Sequence, residues 1–205
     1  ASGVGSPTRG LFGGGQNPSF VNTIQYITIA TTGNATDFGD LTSARGYCSG
    51  VSSTTRGIFG GSGAPSISNV IDYVTIASTG DATDFGDLTD ERGPDNSQIC
   101  SHLRGLFVGG ENPGPTACNI IDAVTMATTG NATDFGDIPA AKAYGAACSN
   151  SIRGVHCVGG YPGTDNSMSY VTIQTTGNAQ DFGDLPTGET GGDSSENNNF
   201  SDSHG

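Results

Sequence analysis

The string Asp-Phe-Gly-Asp occurs four times in the chain, at Asp37–Asp40, Asp84–Asp87, Asp134–Asp137 and Asp181–Asp184, at spacings of 47, 50 and 47 residues. A fixed period of this size constrains the architecture more than any other feature. Each copy must be one supersecondary unit that buries its faces only by stacking on its neighbours. Other landmarks keep the same register. Ahead of each copy runs a β-branched stretch ending in a turn: ITIATTGNAT, VTIASTGDAT, VTMATTGNAT and VTIQTTGNAQ. Ahead of that stands an Arg-Gly step, at Arg9, Arg56, Arg104 and Arg153, that leads into glycines. The copies divide the chain near 1–45, 46–92, 93–142 and 143–188, and an acidic, polar segment over 189–205 follows.

Each copy predicts four short strands. The first is a small-residue stretch typified by 46–53 and 145–151, and the second is the Arg-Gly-apolar segment ending at a double glycine. The third is a Val/Ile/Tyr/Thr run such as 70–77, rich in β-formers. Thr-Gly-Asn or Thr-Gly-Asp then supplies a hairpin turn. The last strand carries Phe38, Phe85, Phe135 or Phe182. No apolar set recurs at helical spacing, so the expected fold is all-β. The seven basic residues fall at just two repeat positions. Four are the Arg-Gly arginines, and Arg45, Arg92 and Lys142 each follow the last Asp of a motif by five residues, with Glu189 there in the fourth copy. Cations held in register with aspartates are expected to tie neighbouring strands or repeats by charge-assisted hydrogen bonds.

The 34 glycines follow no Gly-X-Y period, which suits a fold with many tight turns rather than a collagen. A net charge of −13 excludes non-specific nucleic-acid binding and argues against anionic membranes. No apolar run approaches the roughly 18 residues that span a bilayer. The five cysteines, Cys48, Cys100, Cys118, Cys148 and Cys157, contain no Cys-x-x-Cys pair. They are expected to be small buried apolar residues rather than zinc ligands.

The chemistry-bearing patterns read as structural. Asp-Phe-Gly echoes a kinase motif, but it repeats in strand context with no catalytic loop beside it. The acidic turns around Asp81, Asp84 and Asp87 are expected to cap turns and pair with arginines, since extended strands do not converge six oxygens on one calcium. Gly13–Gly15 lacks the Lys-Ser/Thr of a phosphate loop. His102, His156 and His204 are scattered singly, and the sequons at Asn34 and Asn131 read as turn residues, with a third at Asn199. No catalytic, metal or cofactor site is expected.

The double glycine after strand two, the Ile-Asp-Tyr or Val-Tyr third strand and the closing apolar-polar-Arg resemble the kelch repeat of β-propellers, with phenylalanine replacing the kelch tryptophan. The phrase IDYVTIASTGDATDFGDL is similar to the kelch-like arrays of virion proteins, tail- and fibre-associated, in tailed phages of aquatic bacteria. The resemblance covers residues 1–188 and the closing Ser-Asp-Ser-His-Gly. It implies four four-stranded blades in a propeller or a propeller-like arc. Closure would use Ala1–Thr8 or Phe200–Gly205 as a strand for a blade begun at the other end; open edges would instead join another subunit. It also implies a non-enzymatic structural protein of the virion, on tail, fibre or capsid surface. Its partners would be other virion subunits, further copies of itself, or a host glycan or protein. The alternatives are an extracellular fibril or adhesin subunit, and a carbohydrate-binding module. The loops after the double glycine vary most between copies, and loops on a rigid frame carry binding. They offer Gln16, Asn17, Ser62, Ser66, Glu111, Asn112, Tyr161 and Asp165 as candidate contacts.

Overall fold

The structure is a computed structural model and describes residues 1–94, 97–163 and 165–189. The expected Asn199 sequon, His204, a closing strand at Phe200–Gly205 and all but the first residue of the acidic segment lie outside the described residues. Among the described residues there is no helix, and so none long and apolar enough to cross a membrane. The fold is all-β. Four antiparallel four-stranded sheets follow one another along the chain.

Sheet I contains β1 (Ser2–Gly5), β2 (Arg9–Gly13), β5 (Thr23–Thr28) and β6 (Thr36–Asp40), and between β2 and β5 sits a small hairpin of β3 (Gln16–Asn17) and β4 (Ser19–Phe20). Sheet II is a plain meander of β7 (Ser49–Ser52), β8 (Arg56–Ser62), β9 (Ser68–Thr75) and β10 (Thr83–Asp87). Sheet III repeats the plan of sheet I with β11 (Gln98–Cys100), β12 (Arg104–Val108), β15 (Ile120–Thr125) and β16 (Thr133–Asp137), and with the hairpin β13 (Glu111–Asn112) and β14 (Thr116–Ala117). Sheet IV is formed by β17 (Ala143–Ser149), β18 (Arg153–Tyr161), β19 (Asp165–Thr172) and β20 (Gln180–Glu189). The first strands lean on one another in sequence, β1 on β7, β7 on β11 and β11 on β17. The expectation that Ala1–Thr8 completes a sheet begun at the far end is overturned. Ser2–Gly5 pairs with its own repeat, Ser2 opposite Gly13 and Gly5 opposite Gly10, because the tight Ser6–Thr8 turn returns it directly.

Asp-Phe-Gly-Asp turns out to be a β-bulge. In sheet II, Asp84 pairs with Asp72 and Gly86 with Ile71, leaving Phe85 as the extra residue; the same shift recurs at Phe38, Phe135 and Phe182. The bulge aims Phe38, Phe85 and Phe135 out of their sheets into the junction with the next one. The first Asp steadies it, as Asp134 Oδ1 accepts the Gly136 N–H at 3.0 Å. The glycine is required twice over. Gly86 has φ +142°, and a Cβ there would lie 2.6 Å from the Gly130 carbonyl of sheet III. That closeness permits a hydrogen bond across the junction, Gly130 N–H to the Phe85 carbonyl at 2.7 Å, matched by Gly80 to Phe38 and Gly177 to Phe135.

Three apolar clusters fill the three junctions between successive sheets. In the first, Val4, Leu11, Ile24 and Phe38 of sheet I meet Phe59, Val74 and Ile76 of sheet II. The second joins Val51, Ile58 and Phe85 to Phe107, Val124 and Met126, and the third joins Ile99, Leu106 and Phe135 to Ala147, Val171 and Ile173. Glycine makes room for these contacts. A Cβ on Gly105 would stand 2.5 Å from Val51 Cγ2. The Arg-Gly arginines stitch the same junctions, but to carbonyls rather than aspartates. Arg9 Nη1 donates to Ile76 O at 2.9 Å, Arg56 to Met126 O at 3.0 Å and Arg104 to Ile173 O at 3.1 Å. All four Arg-Gly guanidiniums also lie over rings, Arg9 on Tyr26, Arg56 on Tyr73 and Arg153 on Tyr170 at 4.4–4.7 Å and Arg104 on Phe135 at 5.7 Å.

Candidate functional site at the loop-bearing end

The loops after each second strand leave their sheets at the same end, and the first three are tied to the lead-in of the next sheet. Gly15 N–H donates to the Arg45 carbonyl, and Gly110 N–H to the Lys142 carbonyl, both at 2.9 Å. Ser62 N–H donates to the Arg92 carbonyl at 3.2 Å, and within their own repeats Gly46 bridges to Ala64 and Gly93 to Glu111. Side chains add to this. The Phe20 ring sits edge-on to Tyr47 at 6.4 Å, the Tyr144 hydroxyl donates to Glu111, and the Tyr161 hydroxyl donates to Pro115 O at 2.7 Å. The result is a row of anchored loops, each braced by its neighbour.

Of the candidate contacts, Gln16, Asn17, Ser66 and Tyr161 are exposed. Ser62 is not a contact residue. It is buried because its hydroxyl bonds the Gly46 and Ala64 carbonyls, closing the loop on itself. Glu111 and Asn112 are half-buried within their hairpin. Asp165 is tied to Lys142 at 3.0 Å and to Ser167, and its carboxyl is held below the usual range first by the Ser167 N–H and then by Lys142. Two aromatic residues at this end escaped the sequence reading. Tyr47 (φ 55°, 55% exposed) and Tyr144 (φ 61°, 39% exposed) hold left-handed backbones that bulky residues rarely adopt. Both stand two residues after a basic repeat position, a signal that was available in the sequence.

Beneath the loops lie the second set of basic residues. Arg45 pairs with Asp72 and Arg92 with Asp122, each at 2.9 Å and essentially without solvent. Each carboxylate also takes a threonine, Thr42 or Thr89, through both hydroxyl and N–H. Each guanidinium also reaches a carbonyl, that of Phe59 or Phe107. The expectation of charge-assisted ties therefore holds here, with aspartates of the third strand as partners.

At the third junction the whole network is replaced. Pro139 stands where Thr42 and Thr89 stand, Lys142 for arginine, His156 for Phe59 and Phe107, and Ser169 for aspartate. A cavity of about 110 Å³ opens there, lined by Pro139, Lys142, His156, Ser169 and Asp181 among others. Burial, and then repulsion by Lys142, lowers the His156 pKa from 6.5 to about 4. The cysteines split. Cys48, Cys100 and Cys118 are buried as expected, and burial pushes the Cys48 and Cys118 thiols up. Cys148 corrects the expectation: it is exposed, because it takes the place of Val51 and Ile99 on a face of sheet IV that nothing described covers. Among the described residues, no three His, Cys, Asp or Glu side chains gather as a metal site.

No family model matches the chain, and no curated protein matches it. The fold is similar to a solved structure of YjhT, with a TM-score of 0.74 at 9% identity over 92% of this chain and 67% of that one. At that identity the likeness concerns the fold alone.

Proposed function

We propose that the four sheets are blades of a kelch-like propeller arc, and that the protein is a non-enzymatic structural component of a tailed-phage virion, on tail, fibre or capsid surface. Its task is to hold variable loops in fixed positions for contact with a host or a neighbouring subunit. One observation carries the reading. The segments that differ most between repeats all leave the scaffold at one end, and the first three are pinned by hydrogen bonds to the next sheet. The virion assignment rests on the wording of the repeat, IDYVTIASTGDATDFGDL. Gold-labelled antibody against the chain, applied to native source material in the electron microscope, tests it. Label at a fixed site on phage particles is the expected result. Label on free filaments or cell surfaces beside bare phage would move the protein to the fibril or adhesin class.

A second reading, glycan binding, is favoured by the exposed rings of Tyr47, Tyr144 and Tyr161 at the loop end, since flat amphipathic rings suit sugar faces. Retention of the purified chain on a glycan array, lost in Tyr47→Ala, would support it.

A further inference from the structure

The three internal junctions share their bulge phenylalanine, their arginine-to-carbonyl bond and their turn-to-bulge hydrogen bonds, and among the described residues both halves of a fourth such junction stand uncovered, one on sheet I and one on sheet IV. On sheet IV, Phe182 is 47% exposed, whereas Phe38, Phe85 and Phe135 at the same bulge position are 2–3% exposed. Cys148 and Arg153 are also exposed on this sheet, and Arg153 reaches no carbonyl among the described residues, unlike Arg9, Arg56 and Arg104. On sheet I, the opposite face exposes Phe12 at 42%, where Phe59 and Phe107 are fully buried. Ile29 is 47% exposed on that face, where Ile76, Met126 and Ile173 are buried.

The polar half of the junction is also duplicated. Ile29 occupies the position whose carbonyl receives the arginine in the three internal junctions. Gly33, Asn34 and Ala35 occupy the positions of Gly80, Asp81 and Ala82. Those residues bond the Phe38 carbonyl, the Asp40 N–H and the Asp40 carbonyl across the first junction. Phe182 and Asp184 supply the matching groups on sheet IV. The two end faces are thus complementary to each other, not to themselves.

We propose that sheet IV of one copy docks on sheet I of a second copy, continuing the internal junction between molecules. Phe182 enters against Phe12 and Ile29, and Arg153 donates to the Ile29 carbonyl of the second copy. Such a contact is heterologous. It yields a closed ring where the rotation closes and a filament where it does not. The inference goes beyond the virion reading and fails independently of it, since it concerns the purified chain alone.

The test uses the full chain and light scattering coupled to size exclusion. The wild-type chain forms a concentration-dependent series of oligomers between micromolar and near-millimolar protein. Phe182→Asp blocks one face and Ile29→Asp the other. Both positions are exposed, so each variant keeps its melting temperature and remains a monomer. Mixed in equal amounts, the two variants form a one-to-one dimer through their intact faces and nothing larger. A wild-type chain that stays monomeric throughout overturns the proposal. So do single variants that assemble as the wild type does, or a mixture that gives no dimer.

Discussion

His156 makes the third junction sensitive to acid in a way that the other two are not. Its ring replaces Phe59 and Phe107 in a buried position, and burial together with Lys142 lowers its pKa from 6.5 to about 4. The folded chain therefore resists the proton that the unfolded chain accepts. Stability from this group is complete above pH 6.5 and is lost as pH falls from 6.5 toward 4. At 1.36 kcal/mol per pKa unit, the loss is about 2 kcal/mol at pH 5 and about 3 kcal/mol below pH 4. Asp165 does not blur this window, because its carboxyl is depressed from 3.8 and its contribution fades only at lower pH.

Urea unfolding of the wild-type chain and of His156→Phe at pH 7.5 and pH 5 isolates the effect. Phenylalanine already fills this position in sheets II and III, and the other titrating groups are common to both proteins. The wild-type chain is expected to lose about 2 kcal/mol more than the variant between the two pH values. Parallel losses in the two proteins would refute the reasoning, whatever the absolute stability of the variant.

Three further outcomes follow from the packing. Asp122→Ala leaves the Arg92 guanidinium buried without its carboxylate and should cost about 3–5 kcal/mol, whereas the double change Arg92→Met with Asp122→Leu should recover most of it; urea midpoints decide. Phe85→Ala should cost about 3–5 kcal/mol, as truncation of a buried ring does, whereas Phe182→Ala should change the monomer by less than about 1 kcal/mol, which thermal melts will show. Gly105→Ala forces a methyl against Val51 and should cost about 1–3 kcal/mol, with part of the loss returned when Val51→Ala is added.

The all-β character and the order of the strands were legible because strand patterning and turn chemistry are local. The third strand, for example, was expected at 70–77 and lies at Ser68–Thr75. The bulge was not legible. Asp-Phe-Gly-Asp reads as a strand with a glycine in it, and only the pairing of Asp84 with Asp72 and Gly86 with Ile71 shows Phe85 to be the extra residue. The burial of Ser62 depends on a carbonyl sixteen residues away, that of Gly46, which no window of sequence reveals. Lys142 looked like Arg45 and Arg92 in the repeat, yet its amine is drawn out to Asp165, because the aspartate that would hold it inward has become Ser169. Tyr47 and Tyr144 were overlooked because a tyrosine beside an Arg/Lys position reads as ordinary strand. Their left-handed backbones turn the rings out at the loop end instead.

The third junction departs from the first two at four places, Pro139, Lys142, His156 and Ser169, and electrostatics explains why these changes belong together. A buried arginine is tolerable only while a carboxylate and a carbonyl hold it, and the carboxylate only while the threonine satisfies its second oxygen. Pro139 has neither the hydroxyl nor the N–H that Thr89 gives to Asp122. With those donors gone, an aspartate at position 169 would be left half satisfied, and serine there carries no charge to satisfy. With no aspartate, a buried arginine would be stranded, whereas lysine is long and flexible enough to carry its charge out to Asp165. The space so released is the cavity beside His156, whose neutral ring is the form that burial favours. The scaffold therefore has two kinds of junction. Two are locked by a dry ion pair, and one holds a cavity beside a buried neutral histidine that the folded chain keeps from its proton.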